Sequence, residues 1–440
     1  MSDFFCNFAR EIIYYPYRMS NILAKSDKGL RVIWLILLLL LATVQAAWAQ
    51  TDVAENEGDE PRDSVFVSIL TCAPGVEAYD LYGHTALRIC DTRQNFDRVY
   101  NYGIYSFNQP NFVWHFILGE TDYTMMSTTP ALFMAAYAAE GRSVSEQVLQ
   151  LTPEQVGIVA RIVYENECTP NWTYRYRYSD DNCTTRVIDA VHYALKASGS
   201  RMVLPDTMQV TTYREMIRRY AAVYPWTEFS DDLLMGAELD REAMGMAQLF
   251  LPQRAAEILQ GTMVQNTQGE VYPLVRENRI LVERPALKPD HTSITPMIFC
   301  VSLFVLMLLF TYYEMARQKN FWVCDAVLLA AQGLAGCIIT FLFFFSQHPG
   351  MDSNWLVLLL NPLPLLLLWP VIRSQRRGSR FHLYFYAVNG DLYLILLLIA
   401  ALNIQDFPRG FLYLAGCLLI RALKHVITGI KKIKETKKNS

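Results

Sequence analysis

Five apolar stretches in the last third of the chain constrain it more than any other feature. They cover residues 296–316, 321–346, 355–372, 381–402 and 407–427, and each is long enough to cross a hydrocarbon core of about 30 Å. Basic residues sort between their loops. Arg317 and Lys319 follow the first stretch, and Arg373, Arg376, Arg377 and Arg380 separate the third from the fourth. Lys431, Lys432, Lys434, Lys437 and Lys438 follow the fifth, whereas loops 347–354 and 403–406 carry no Lys or Arg. That alternation is the positive-inside signature. It predicts an all-α bundle of about five transmembrane helices over 296–427, with a basic cytoplasmic tail at 428–440. Everything just before residue 296 then lies on the other side of the membrane.

The N-terminus gives the same orientation independently. Lys25, Lys28 and Arg31 precede an apolar run over 32–44, and Ala47-Trp48-Ala49 before Gln50 reads as a cleavage site. Residues 1–49 are therefore a signal peptide or an N-terminal signal anchor. The stretch before Lys25 is long for a signal, and Met19 is an alternative start. Residues 50–63, with Asp52, Glu55, Glu57, Asp59 and Glu60, form an acidic linker. A formal net charge of −3 gives no hint of nucleic acid as a partner, and none is expected; the lysine tail suits lipid headgroups.

Residues 64–290 have ordinary globular composition and are read as an exported α+β domain. An apolar strand is expected at 65–70, and 84–90 alternates with strand periodicity. The aromatic stretch 98–107 should complete a hairpin with it. Thr129 and Pro130 open a helix, Thr152-Pro153-Glu154-Gln155 is a capping-box start for a second, and an amphipathic helix covers 181–197. Residues 206–282 read as helical and then as a short strand pair.

Two motifs bear chemistry. Tyr82-Gly83-His84-Thr85-Ala86-Leu87-Arg88 sets a histidine at a strand start, and Asp181-Asn182-Cys183-Thr184-Thr185-Arg186 sets a cysteine in the first turn of a helix. A helix N-terminus stabilises a thiolate, and its N–H groups can contribute to an oxyanion hole. A neighbouring imidazole would take the thiol proton. The plainer readings are a buried or disulfide-bonded Cys183 and a structural His84. His115 and His192 are competing bases, although His192 should point away from the thiol. Asn101 is the candidate to orient the imidazole, because its strand should pair with that of His84; Asp97 and Tyr82 are alternatives. Asn182 and Arg186 are candidates to polarise a carbonyl or bind phosphate, while Asp181 or Asn182 would more plainly cap the helix. Of nine cysteines only Cys72, Cys90, Cys168 and Cys183 fall in the exported domain, and no Cys/His spacing fits a metal. No cofactor and no metal are expected. A Cys72–Cys90 disulfide and buried reduced thiols both remain open.

These motifs together resemble one family. Leu70-Thr71-Cys72-Ala73-Pro74-Gly75, the His84 motif, Asn101-Tyr102-Gly103, Gly119 with Tyr123, Arg142 with Gln147, the Cys183 motif and Phe250-Leu251-Pro252 are similar to the Lnb-type lipoprotein N-acyltransferases. Gln347-His348-Pro349 and Asn361-Pro362 extend the likeness into the membrane region. The order histidine then cysteine also resembles permuted papain-like enzymes of the NlpC/P60 and lecithin:retinol acyltransferase groups. The resemblance implies an α+β catalytic domain of that type on a helical membrane bundle in a bacterial inner membrane, with a Cys183–His84 pair. It implies a phospholipid acyl donor and a lipoprotein acceptor, the acyl chain passing through a cysteine thioester. A papain-like hydrolase of peptidoglycan peptides or lipid esters uses the same pair. A non-catalytic envelope scaffold would instead hold Cys183 in a disulfide.

Within the membrane stretches, Asp391 falls at mid-span and Asp325 nearer an end. A carboxyl at such depth is either functional or packed against a partner. Packing is the expectation for Asp391. His348 and Asn354 are expected at the outer surface, where lipid would approach.

Overall fold

The computed structural model describes residues 65–77, 80–105, 110–168, 173–285 and 293–439. The signal and linker readings lie outside the described residues. The soluble part is built on one antiparallel sheet. Its strands are β1 (Val65–Cys72), β2 (His84–Asp91), β3 (Phe96–Ile104), β4 (Asp122–Thr128), β5 (Val144–Leu149), β6 (Thr173–Arg175) and β7 (Val275–Val282). Their order across the sheet is β7–β5–β1–β2–β3–β4–β6.

Helices cover both faces. They are α1 (Phe112–Leu118), α2 (Pro130–Ala139), α3 (Pro153–Cys168) and α4 (Cys183–Ala197), then α5 (Tyr213–Ala221), α6 (Pro225–Leu234) and α7 (Pro252–Gln260). Val187, Ile188, Val191 and Leu195 of α4 pack with Val159 and Val163 of α3 on Val67, Ile69, Leu87 and Ile89. On the other face, Phe133 and Tyr137 of α2 pack on Leu70, Ala86 and Val99. Central strands buried on both sides have no exposed face, so β2 shows Thr85, Ala86 and Leu87 buried in a row where simple alternation is expected. The β2–β3 hairpin pairs Leu87 with Tyr100 and Cys90 with Asp97. It begins at Phe96, two residues before the expected strand start, and ends at Ile104. Thr129 caps α2 as expected, accepting from the Leu132 N–H.

The membrane part holds α8 (Pro296–Arg317), α9 (Trp322–Phe345), α10 (Leu368–Arg377), α11 (Phe381–Ala401) and α12 (Phe411–Asn439). Four of these are long and apolar enough to span a bilayer. The expected span at 355–372 is instead a bent pair, Trp355–Leu366 with Leu368–Arg377, meeting at 70°. Pro362, Pro364 and Pro370 remove backbone donors there and break the helix. The pair still runs the full length of the bundle. At one end the Trp355 N–H donates to Gln405 at 2.8 Å and Asn354 Nδ2 donates to the Leu233 carbonyl at 2.8 Å, beneath the soluble domain. At the other, Gln375 donates to Asp325 at 3.1 Å, at the start of α9. A Cβ on Gly336 of α9 would collide with the Asn361 backbone, so the bare helix face lets the broken segment press in.

The soluble domain is seated on the bundle. Ser346 Oγ donates to the Ile117 carbonyl at 3.0 Å, the Gln347 N–H to the Leu118 carbonyl at 2.7 Å, and Tyr178 Oη to the Pro349 carbonyl at 2.8 Å. Arg218 pairs with both Asp232 and Asp406. His348 and Asn354 are docking residues in this seam: His348 Nε2 meets the Phe116 carbonyl at 2.7 Å. At the bundle's remote end the helices share a buried ionic cluster. Arg421 joins Glu314 and Asp325, Lys424 reaches Glu314, and His425 lies 2.8 Å from Asp325.

Candidate active site

Two elements converge on one point beside the sheet. The chain enters α4 through Asn182, whose Oδ1 accepts from the Thr184 and Thr185 N–H groups at 2.8 and 3.0 Å, while the Thr185 hydroxyl accepts from the Asn182 N–H at 2.8 Å. This reciprocal cap fixes the first turn. Asn182 Nδ2 is equally committed, donating to the carbonyls of Tyr178 and Phe250 at 2.7 and 2.9 Å. Asn182 is therefore a buried cap with its hydrogen-bonding groups engaged within the protein, the plainer of the two readings open for it. The cap also takes two of the helix N–H groups expected to face an oxyanion, leaving that of Cys183 itself outside its claim.

Cys183 is the first residue of α4 and only 8% exposed. Thr85 Oγ1 and Thr184 Oγ1, 3.0 Å apart, tie β2 to α4 at this level. The half-buried His84 ring lies between two partners. Nε2 meets Asn101 Oδ1, and the ring lies near enough to the Cys183 side chain for each to shift the other's protonation. Tyr137 stacks on the imidazole with a centroid separation of 6.4 Å, and Arg142 lies 4.8 Å from the Tyr137 ring. Arg142 is itself buried and donates to the Ala73 carbonyl at 2.7 Å, so it braces the wall behind the histidine.

Cys183 and His84 are shifted in opposite directions. Burial pushes the Cys183 thiol up, but His84 beside it, together with hydrogen bonds from that ring, the Thr85 backbone and the Thr184 hydroxyl, brings it below the ordinary thiol range. Burial favours neutral His84, yet the Cys183 sulfur and Asn101 raise it above the ordinary imidazole value. Cys72, opposite His84 across the β1–β2 ladder, is a contrast. Burial drives its thiol far upward, which leaves it protonated and inert.

β3 passes close to the sulfur at Gly103. Its φ of +88° is a left-handed conformation that suits glycine, and a Cβ there would lie 3.6 Å from Cys183 Cβ and 3.7 Å from Tyr174 Oη. Tyr174 is buried, and its hydroxyl has no hydrogen-bond partner among the described residues. Burial raises it well above the ordinary phenol value, so it keeps its proton as a donor. Sequence reading missed Tyr174, which sits in a three-residue strand with no periodicity to mark it.

The remaining candidates lie apart from the sulfur. Tyr82 donates to Asp231 at 2.8 Å, and Asp97 holds Arg88 at 2.7 Å. Arg186 pairs with Asp181 at 2.5 Å and stacks 4.3 Å from the Tyr174 ring. Its charge is thereby balanced, which argues against a phosphate clamp. His115 sits exposed on α1 beside Glu120. His192 is nine residues beyond Cys183 in α4, about 14 Å along the axis. Cys72, Cys90, Cys168 and Cys183 are all free thiols. The β1–β2 register sets Cys72 against His84 and Cys90 against Phe66, too far apart for a disulfide. A scaffold that locks Cys183 to another cysteine is not this structure.

Comparison with known proteins agrees with this architecture. The family model described as the Lnb N-terminal periplasmic domain matches residues 59–219, and the one described as the Lnb transmembrane domain matches residues 288–433. No curated protein and no solved structure matches the chain. A periplasmic domain joined to a transmembrane domain makes this an inner-membrane protein.

Proposed function

Because the chain belongs to the Lnb family, we propose that it is a membrane-anchored cysteine acyltransferase that moves an acyl chain from a phospholipid to the N-terminal amine of a diacylglyceryl lipoprotein. We read the catalytic domain as permuted papain-like, since a strand histidine precedes a helix-start cysteine in the chain. The observation that carries the proposal is the His84 ring held between Asn101 and Cys183.

The reaction runs in two halves. The Cys183 thiolate attacks an ester carbonyl of the donor. The tetrahedral oxyanion is stabilised by the Cys183 N–H and the Tyr174 hydroxyl. The C–O bond then breaks, the lysophospholipid oxygen takes the imidazolium proton of His84, and an acyl-thioester remains on Cys183. In the second half the lipoprotein amine attacks the thioester carbonyl. His84 accepts the amine proton, the C–S bond breaks, and the thiolate returns beside a protonated imidazole. Both substrates are lipids, so seating the domain on its own membrane bundle raises their effective concentration at the site. The remote end of the bundle, carrying Arg317, Arg376 and Lys431, is assigned to the cytoplasm on its positive charge.

Mass spectrometry of lipoprotein N-termini tests the reading. In a strain without another N-acylating enzyme, Cys183→Ala should leave lipoproteins without the N-linked chain, and Cys72→Ala should not. Full N-acylation in the Cys183→Ala strain rejects it.

A further inference from the structure

Asp391 is the eleventh of the 21 residues of α11, about 15 Å from either end of the helix. Its side chain is exposed, and it has no hydrogen bond or ion pair among the described residues. Glu314 and Asp325 show how this bundle treats its other acidic groups: both are buried and matched to Arg421, Lys424 or His425. A lysine at the same depth could stretch to the interface, but an aspartate side chain is too short. At mid-span a lone carboxyl facing lipid is strongly unfavourable, so a partner must cover it. Among the described residues Asp391 has no such partner, so the packing expected for it is not supplied by its own chain.

The surface around it says what that partner is. Tyr384, Val388, Ile395, Leu398 and Leu402 are 48% to 67% exposed. With Asp391 they form a single stripe spaced four, three, four, three, four. That is the a/d repeat of a helix pair, with one polar residue at its centre, the arrangement that fixes register in paired helices. We infer that α11 pairs with α11 of a second copy of this chain, in parallel, through this stripe. Two copies in one membrane share orientation. A twofold axis along the membrane normal therefore brings each Asp391 to its own image at the same depth. One carboxyl donates its O–H and the other accepts, so neither is left to the lipid. Self-pairing matches depth, orientation and chemistry at once, which favours a second copy over an unrelated membrane helix.

The test uses the full-length protein in native membranes and in liposomes. Val388→Cys and Ile395→Cys should each give an oxidant-induced covalent dimer above the wild-type background. Leu334→Cys, on an exposed face of α9, should not. Förster transfer between labelled copies in liposomes should show that Asp391→Leu weakens association by about tenfold, the scale of one interhelical hydrogen bond, while Asp391→Asn, which still donates and accepts, associates nearly as wild type. A wild-type protein that stays monomeric overturns the inference. So does an Asp391→Leu variant that associates as well as wild type, or crosslinking that is equal from Leu334→Cys. None of these readings involves acyl transfer, so they stand or fall apart from the proposed activity.

Discussion

The side-chain oxygen of Asn101 meets Nε2 of His84, and this contact sets which ring nitrogen carries the proton. An amide oxygen accepts, so Nε2–H is the donor, and Nδ1 is the ring nitrogen left free of that bond. Asn101→Ala removes that constraint and frees the ring to rotate or change tautomer. Turnover should fall by on the order of 10²-fold, with thermal stability nearly unchanged. Asn101→Gln would not rescue it, because the longer side chain displaces the oxygen. Acyl-enzyme formation on Cys183, followed by mass spectrometry with a phospholipid donor, is the measurement.

The opposed shifts of Cys183 and His84 predict a pH profile. Burial raises the Cys183 thiol, but the imidazole together with the Thr85 backbone and the Thr184 hydroxyl brings it below the ordinary thiol range. A lowered thiol is already a thiolate at pH values where an ordinary one is protonated, so the rise of iodoacetamide alkylation with pH should come earlier than for an ordinary thiol. His84→Ala removes the cation but keeps the burial. The inflection should then move above the ordinary thiol range, and the rate at neutral pH should drop. An unchanged profile in His84→Ala would remove the imidazole from the account.

Tyr174 separates catalysis from stability. Its buried hydroxyl has no partner, so Tyr174→Phe discards a polar group that contributes nothing to the resting fold. The melting temperature should stay level or rise. If the hydroxyl serves the oxyanion, acyl transfer should fall by on the order of 10²-fold. A fall in both together would mark Tyr174 as merely structural.

How much of this could be read from the chain depended on how local the signal was. The caps at Thr129 and Asn182 are written within four residues each, so the starts of α2 and α4 were visible to within two positions. The pairing of β2 with β3 followed from strand periodicity, and that pairing brings Asn101 to His84. β1 was visible as an apolar run and a strand pair was expected before residue 282, but the order of the sheet was not visible. β4, β5 and β7 carry Asp122, Glu146, Arg279 and other charged residues, and they are strands because their neighbours hold them, not because of their own pattern. Tyr174 and Arg142 reach the site only through that sheet. In the membrane, composition marked the third stretch, and prolines bent it. Asp325 and Asp391 looked alike in sequence, since nothing local says which way a helix face turns.

That difference gives the last prediction. Asp325 is 1% exposed and meets Arg421, His425 and Gln375. It thereby ties α9, α10 and α12 together at the remote end of the bundle. Replacing it with alanine leaves a buried guanidinium short of a partner and opens a small void. Breaking a buried pair from one side costs about 3–5 kcal/mol. The Asp325→Ala protein, purified in detergent, should therefore melt several degrees lower and lose cooperativity between the membrane helices. Asp325→Asn should fall between the two, since the amide oxygen can still accept from Arg421 while the charge is lost. Because the cluster lies at the far end from Cys183, iodoacetamide should still alkylate that thiol at the wild-type rate below the melting transition. A variant that melts as wild type would mean that Glu314 alone satisfies Arg421, and that the histidine and glutamine contacts of Asp325 carry no net stability.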